Sequence, residues 1–421
     1  MDLRSMHLFR RVSWGIADQG VSSMGNLLLG IMVIKALDVE GFGAFSLAFV
    51  TFSFVLSASR GSSTDPLLVR FSGLAGPAWS RAVAAASGTA LLTGVVTGAV
   101  CVVIGVLLPG SLGGGFIALG VGLPAILLQD SYRFAFFSQG QGAKAFVNDL
   151  LWAVLQVASV GLLLMTGTAT VVTCLLAFGG SAAVAAAVGL RQSGVWPAPR
   201  AARGWLAEHG DLGGRYLVEN VAVGGARQIR MFAVGAIAGL AAVGELRAAE
   251  IMLGPFFVLM SGISQVAVPE AAAVLARAPD RLRRFCFWLA VLPAGAAVLW
   301  GSVLYLVLPL GAGEALLDEL WKPAAALLIP LTGVVAIGCY HNACTSVVRA
   351  LGASRRSLLA QVGNAALYVL GGALGAAHSG AMGSSWGVLV ASILGAVLWH
   401  HQVRAGISDH LALPREVSPV R

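Results

Sequence analysis

Two arginines lie in the middle of a long apolar stretch of this sequence. Arg227 lies about 17 Å along a helix that begins near Tyr216, and Arg230 lies one turn further on the same helical face. Because like charges on one face repel each other, a dry interior would not tolerate them, whereas a water-filled cavity or an anionic ligand would. The sequence therefore predicts that both line a cavity and bind an anionic substrate. The alternative is pairing with acids on neighbouring helices, such as Asp18 or Asp130.

Other polar side chains in apolar stretches are candidates for the same cavity. Asp130 and Arg133 are three residues apart, so they either pair on their own helix or face the cavity. His341 and Asn342 form a polar patch at similar depth in the second half, although a lone histidine is more often a satisfied buried side chain than a proton carrier. The predicted substrate-binding residues are Arg227, Arg230, Arg133, Asp130, His341 and Asn342.

Two acids are candidates for coupling transport to an ion gradient. A carboxylate in a low-dielectric cavity can exchange protons or hold a cation, and Asp18 lies about 9 Å into the first apolar run. Asp18-Gln19 is matched in the second half by Glu219-Asn220. The sequence thus predicts Asp18 and Glu219 as sites for a proton or a sodium ion. Pairing of Asp18 with an arginine is the alternative.

Motifs typical of catalysis do not occur in this sequence. It has no P-loop GxxxxGK[ST], HExxH, GxSxG or CxxC pattern. We therefore predict that the protein is not an enzyme and has no catalytic residues, no metal site and no cofactor. The net charge of +8 does not indicate nucleic-acid binding, because the basic residues follow a membrane pattern described below.

The composition indicates which elements hold these side chains. Of the 421 residues, 57% are hydrophobic and only 11% charged, against about 25% charged in soluble domains, and glycine occurs 54 times. This excludes a soluble enzyme, a disordered protein and a secreted disulfide scaffold. The five cysteines lie in apolar segments and are predicted to be small buried side chains.

Twelve apolar runs are long enough to be candidate membrane spans, because a span needs roughly 20 apolar residues. The fold predicted from them is an all-α, polytopic membrane protein with about 12 transmembrane helices in two parallel six-helix lobes around a central cavity. The lobes are predicted at residues 1–190 and 215–421, joined by a cytoplasmic linker at 191–214. The runs are 12–37, 43–59, 82–108, 116–137, 146–165, 168–190, 216–240, 245–275, 285–308, 323–348, 357–377 and 381–399.

The basic residues predict the orientation of these spans. With a cytoplasmic N-terminus and twelve spans, the loops on the outer side contain only Lys35, Arg247 and Lys322. Apart from Arg133, Arg227 and Arg230, which lie within spans, every other lysine and arginine falls in a cytoplasmic segment. This asymmetry follows the positive-inside rule and predicts that both termini are cytoplasmic.

Several segments resemble the polysaccharide flippases, members of the superfamily that also contains the multidrug and toxin extrusion transporters and the lipid II flippases. They are DQGVSSMGNLLLGIMVIKALDVEGFGAFSLAF from Asp18, with its turn LDVEGFGA, the passage GLAAVGELRAAEIMLGP from Gly239, and GQGAKA from Gly140. Many members of that superfamily have fourteen helices, whereas this sequence has twelve apolar runs.

The resemblance implies an alternating-access transporter in a bacterial plasma membrane. It implies transfer of a polyprenyl-diphosphate-linked saccharide from the cytoplasmic to the outer leaflet for cell-surface polysaccharide synthesis, with polysaccharide polymerases as partners. Arg227, Arg230 and Arg133 would meet the diphosphate, since guanidinium groups suit phosphate geometry. The alternatives are an ion-coupled exporter of drugs or other small molecules and a membrane scaffold that transports nothing.

Overall fold

The computed structural model describes the chain at residues 3–72, 74, 76–278 and 281–412. Within the helices, the side chains of 3–12, 16, 210–224, 258, 259, 261, 262, 264–266, 268, 269, 354, 355 and 410–412 lie outside the described set. The described part is helical and contains no strand, which confirms the all-α prediction.

The helices follow one another through short turns. They are α1 (Leu3–Ala36), α2 (Val39–Ser62), α3 (Thr64–Phe71), α4 (Pro77–Leu107), α5 (Gly110–Ser138), α6 (Gly142–Thr166), α7 (Val171–Ser193), α8 (Ala202–Arg277), α9 (Leu282–Val307), α10 (Ala312–Leu317), α11 (Trp321–Ala350) and α12 (Ser354–Ala412), with short 3-10 turns at Pro199–Ala201, Leu308–Leu310 and Asp318–Leu320.

Two of these helices are each interrupted at one point. α8 has non-helical backbone at Gly239, with φ 87° and ψ 173°, and α12 has it at Ser379 and Gly380. A φ of 87° lies in the region that side chains with a Cβ atom disfavour, so glycine is the residue suited to this turn. We call the limbs α8a (202–238) and α8b (240–277), and α12a (354–378) and α12b (381–412). The described residues then contain twelve helical segments of more than twenty residues, in agreement with the predicted twelve runs.

The helices also have the length and hydropathy that membrane spans require. Nine stretches of the described residues pass on both criteria; Gly225–Phe257 crosses the break in α8, and Arg356–Asp409 contains both limbs of α12. Many large apolar side chains are exposed, including Leu107, Met165 and Leu306 at 78%, 88% and 67%. Apolar surface of this kind suits contact with lipid, so the chain is a multi-pass membrane protein.

The first compact unit comprises residues 1–251 and 315–320. Its helices approach closely where glycine faces backbone: a Cβ atom on Gly98 of α4 would lie 2.4 Å from the carbonyl oxygen of Gly120 in α5. Small residues permit such contacts between membrane helices. The predicted linker is partly helical and packed, because Trp205 at the start of α8a is buried and donates to the carbonyl of Ser62 at 3.2 Å.

The second compact unit comprises residues 252–314 and 321–421. Its core joins α9, α11 and α12 around buried side chains such as Leu282, Val347 and Trp399. All five cysteines of the chain are buried and free, as predicted. The lobe boundaries predicted from the sequence stay a prediction.

Two ionic networks as the candidate functional site

Three aspartates and two arginines form a buried network in the first unit, which we call the aspartate network: Asp18, Asp130, Asp149, Arg60 and Arg133. The Arg133 guanidinium donates to Asp18 Oδ2 through Nη2 and, at 2.8 Å, through Nε. Its Nε also lies 3.3 Å from Asp149 Oδ2, and its Nη1 lies 3.7 Å from Asp130 Oδ1. Arg60 donates two hydrogen bonds to Asp130, from Nε to Oδ2 at 2.8 Å and from Nη2 to Oδ1 at 2.6 Å. With all groups ionised, the five side chains have one more negative than positive charge.

Four helices place these groups together. Asp18 lies on α1, Arg60 on α2, Asp130 and Arg133 on α5, and Asp149 on α6. The carboxylates are almost fully buried, while the Arg60 side chain is 31% exposed. A buried ion pair offsets the cost of its desolvation only when the geometry is good and hydrogen bonds satisfy the charges, and the two-pronged Arg60–Asp130 contact meets that condition.

Amide side chains extend the network on α5 and α6. Gln129 donates from Nε2 to Asp149 Oδ1 at 2.8 Å and to Asn148 Oδ1 at 3.1 Å, and Asn148 donates to the carbonyl of Ala185 at 2.8 Å. Two carboxylate oxygens, Oδ1 of Asp18 and Oδ2 of Asp149, accept no hydrogen bond from a described residue. Asp18 Oδ1 is therefore an acceptor available to a proton or a small cation, whereas Asp149 Oδ2 keeps its ion-pair contact with Arg133 Nε at 3.3 Å.

A second network, the arginine network, lies in α8 and comprises Arg227, Arg230, Arg247 and Glu250. Arg227 Nη2 lies 2.7 Å from Glu250 Oε2, and Arg230 Nη2 lies 2.9 Å from Oε1. Arg247 Nη1 lies 3.4 Å from Oε2, with its guanidinium carbon 5.3 Å from the Phe49 ring centroid. Three guanidinium groups thus share one carboxylate.

The break at Gly239 builds the arginine network. Arg227 and Arg230 lie on α8a, and Arg247 and Glu250 lie on α8b. Arg230 lies nine residues before Gly239 and Glu250 lies eleven residues after it, about 2.5 and 3 helical turns, so the reversal there brings them to similar depth. Exposure differs sharply: the Arg230 side chain is fully buried, whereas that of Arg227 is 42% exposed. Glu250, which contacts all three arginines, therefore holds the network together, and Arg227 is its most exposed member.

The predicted site residues divide between these networks. Asp18 pairs with Arg133, which was the alternative to an ion-coupling role, and Arg133 also contacts Asp130 on its own helix. Arg227 and Arg230 pair with an acid, which was the alternative to a cavity role, but that acid is Glu250 and not Asp18 or Asp130, because the Gly239 turn supplies Glu250 from the next limb.

The remaining predicted residues are Glu219, His341 and Asn342. The Glu219 side chain lies outside the described residues. His341 lies on α11 in the second unit, with Nε2 3.1 Å from the carbonyl oxygen of Ser392, so it is a hydrogen-bonded and partly buried histidine. Asn342 is its neighbour on that helix.

Sequence reasoning missed Glu250, Asp149 and Arg60 as members of the networks. For Glu250 the sequence holds a signal, since Glu250 lies eleven residues after Gly239 and Arg227 lies twelve residues before it. For Asp149 and Arg60 the sequence holds no comparable signal, because their partners come from helices distant in sequence.

Comparisons of sequence identify no relative: no protein-family model matches the chain, and no curated protein does. Solved structures do match. An inward-facing multidrug resistance MATE family transporter of the MOP superfamily aligns with a TM-score of 0.69 and 16% identity over 93% of this chain and 96% of that one.

Two further solved structures align over most of their lengths. The lipid II flippase MurJ, in an inward closed conformation, gives a TM-score of 0.70 and 11% identity over 95% of this chain and 90% of that one. A MOP superfamily transporter from Pyrococcus furiosus, described as having reversed polarity in its binding pocket, gives 0.60 and 16% over 97% and 96%. Transporters of this group have about 12 transmembrane helices in two lobes. The chain therefore has the fold of the MOP superfamily transporters.

Proposed function

We propose that this protein is an alternating-access transporter that moves a polyprenyl-diphosphate-linked saccharide from the cytoplasmic to the outer leaflet. Two facts support transport: the fold of the MOP superfamily and charged networks within helices that are otherwise apolar. Ionisable groups at such positions are costly and are retained where they bind or move a charged species.

The position of Arg227 favours an anionic lipid as the substrate. Its side chain is 42% exposed although it lies about 18 Å along α8a from the Gly239 turn. Glu250 fixes its orientation at 2.7 Å, and Arg247 at 22% exposure adds a second guanidinium beside it. A guanidinium that is oriented and reachable suits the oxygens of a diphosphate.

The aspartate network supports coupling of this transport to a proton or sodium gradient. Asp18, Asp130 and Asp149 outnumber Arg60 and Arg133 by one charge when all are ionised, so one proton or monovalent cation would neutralise the set. Asp18 Oδ1 is the atom that would accept it.

The second candidate function is ion-coupled export of drugs or other small molecules. It is favoured by the same acidic surplus, which would also suit a cationic substrate, and by the likeness to a MATE multidrug resistance transporter. The two candidates differ in which network meets the substrate: the arginine network for an anionic lipid, and the aspartate network for a cationic drug.

The test is transport by the purified protein in liposomes, with a fluorescent polyprenyl-diphosphate sugar and a cationic dye assayed in parallel. We expect the lipid to be flipped, Arg227→Ala to slow flipping at least tenfold, and the exposed Arg203→Ala to leave the rate unchanged as the control. Asp18→Asn should abolish the acceleration that an imposed proton or sodium gradient produces. Full flipping by Arg227→Ala would refute the role of that arginine, and transport of the dye without the lipid would establish the exporter instead.

A further inference from the structure

A cavity of about 320 Å³ opens in the second unit, where α8b ends and α9 begins. The connection is closed by backbone hydrogen bonds from Ala278 to the carbonyl of Val274 at 2.8 Å and from Arg281 to that of Ala278 at 2.9 Å. The positive-inside pattern predicts this end of the hairpin on the cytoplasmic side. The lining residues are Glu270, Ala273, Val274, Arg277, Ala278, Arg281, Arg284, Phe285 and Trp288.

Both helices present one continuous face to this cavity. The lining positions on α8b are 270, 273, 274 and 277, and those at the start of α9 are 281, 284, 285 and 288. Each set follows the i, i+3, i+4, i+7 spacing of a single helical face. The cavity is therefore formed by two regular helical faces and not by irregular loops.

The lining combines cations with aromatic rings. Arg277, Arg281 and Arg284 face one acid, Glu270, and none of the three arginines forms an ion pair with a described residue. Fully ionised, these side chains have a net charge of plus two. Such a cavity suits an anion whose oxygens accept several guanidinium hydrogen bonds, as those of a phosphate group do.

The surface beyond the cavity is apolar and exposed. Trp288, at the rim, is 46% exposed, and Leu292, Leu299 and Leu306 follow it on the same side of α9 at 65%, 67% and 67%. A tryptophan between a charged pocket and an apolar stripe is the arrangement found at the boundary of headgroups and acyl chains. The stripe favours a phosphate attached to acyl chains over a free phosphate.

We propose that the cavity between α8b and α9 binds the phosphate-bearing headgroup of an anionic membrane phospholipid, with the acyl chains lying along the apolar stripe of α9. Arg277, Arg281 and Arg284 contact the phosphate, and Phe285 and Trp288 cover the glycerol region. This site is separate from the arginine and aspartate networks, and its occupancy does not depend on the proposed transport activity.

The chain supplies a matched control for this site. Arg283 is exposed and adjoins Arg284 on α9, but it does not line the cavity. Arg284→Gln and Arg283→Gln therefore remove the same charge from the same helix end, and only the first removes it from the cavity. Ala273→Phe fills the cavity without changing any charge.

The experiment is native mass spectrometry of the delipidated full-length protein titrated with phosphatidylglycerol, with phosphatidylcholine of the same acyl chains, and with glycerol 3-phosphate. We expect phosphatidylglycerol to bind at least threefold more tightly than phosphatidylcholine, and expect Arg284→Gln and Ala273→Phe to remove this preference while Arg283→Gln keeps it. Equal binding of the two lipids, or equal losses in the two glutamine variants, would overturn the proposal. Binding of glycerol 3-phosphate as tight as that of the lipid would overturn it in favour of a soluble phosphate ester.

Discussion

At the scale of single residues, Glu250 is the carboxylate that the three arginines of the arginine network share. It is 6% exposed and accepts contacts from three arginines, one of which, Arg230, is fully buried. Removing one partner of a buried ion pair costs about 3–5 kcal/mol, because the remaining charge stays desolvated without compensation. The carboxylate therefore stabilises the fold as well as orienting Arg227.

We expect Glu250→Gln to lower the thermal unfolding temperature of the detergent-purified protein by several degrees, since the buried Arg230 would lose its ion pair with Glu250. Glu245→Gln is the matched control, because Glu245 lies on the same limb, is partly buried and forms no ion pair in the described structure. Circular dichroism at 222 nm during heating measures both variants. Equal shifts for the two would show that the arginines do not depend on Glu250.

Arg227, Arg230, Asp18 and Arg133 each lie within an apolar run. The sequence therefore predicts that water, a ligand or an opposite charge balances each of them. It does not predict which acid meets which arginine, since that depends on how the helices are rotated and where each one turns. The Arg133–Asp149 contact joins α5 to α6, and neither helix shows in its own sequence which face it turns to the other.

At the scale of elements, the two limbs of α12 pack backbone against backbone. A Cβ atom on Gly375 would lie 2.1 Å from the carbonyl oxygen of Gly383, and one on Gly387 would lie 2.0 Å from that of Gly371. These four glycines are arranged almost symmetrically about the break at Ser379 and Gly380. The hairpin is thus held by close approach of its backbones, which any side chain at these positions would prevent.

We expect Gly387→Ala to destabilise the protein although alanine favours a helix over glycine by about 1 kcal/mol. Gly338→Ala on α11 is the control, because nothing lies within 4 Å of its Cβ position, and it should be neutral or stabilising. Chemical denaturation followed by tryptophan fluorescence compares the two. A neutral Gly387→Ala would contradict the close packing of the limbs.

Three turns between helices have the same glycine cap. Gly140, Gly167 and Gly352 have φ of 71°, 67° and 70°, with equivalent hydrogen bonds back to the preceding helix. In each case the glycine marks where the helix ends, and because this cap is common among helices it is no evidence that the surrounding segments are repeats.

At the scale of the whole molecule, twelve apolar runs predict twelve spans, and the structure has twelve long helical segments in its described part. The break at Ser379 and Gly380 falls in the interval between the predicted runs 357–377 and 381–399, whereas the break at Gly239 falls just inside the end of the predicted run 216–240. The orientation of the helices in the bilayer stays a prediction of the charge asymmetry.

Labelling of single introduced cysteines in cells tests that orientation. Ser72 and Thr168 are both exposed, and the charge asymmetry places them in the cytoplasm and outside, respectively. A membrane-impermeant maleimide should modify Thr168→Cys in intact cells and Ser72→Cys only after permeabilisation, with low background because the native cysteines are buried. The reverse pattern would invert the topology.

The reversal at Gly239 also bears on how this chain enters the bilayer during its synthesis. A charge at the centre of a lone helix raises the free energy of insertion by about 2.5–3.5 kcal/mol. Glu250, an acid that pairs with both Arg227 and Arg230, is in the limb translated directly after them. Insertion of α8a and α8b as one hairpin would let the arginines and Glu250 leave the translocon already paired, so the turn at Gly239 would serve the biogenesis of the protein as well as its final geometry.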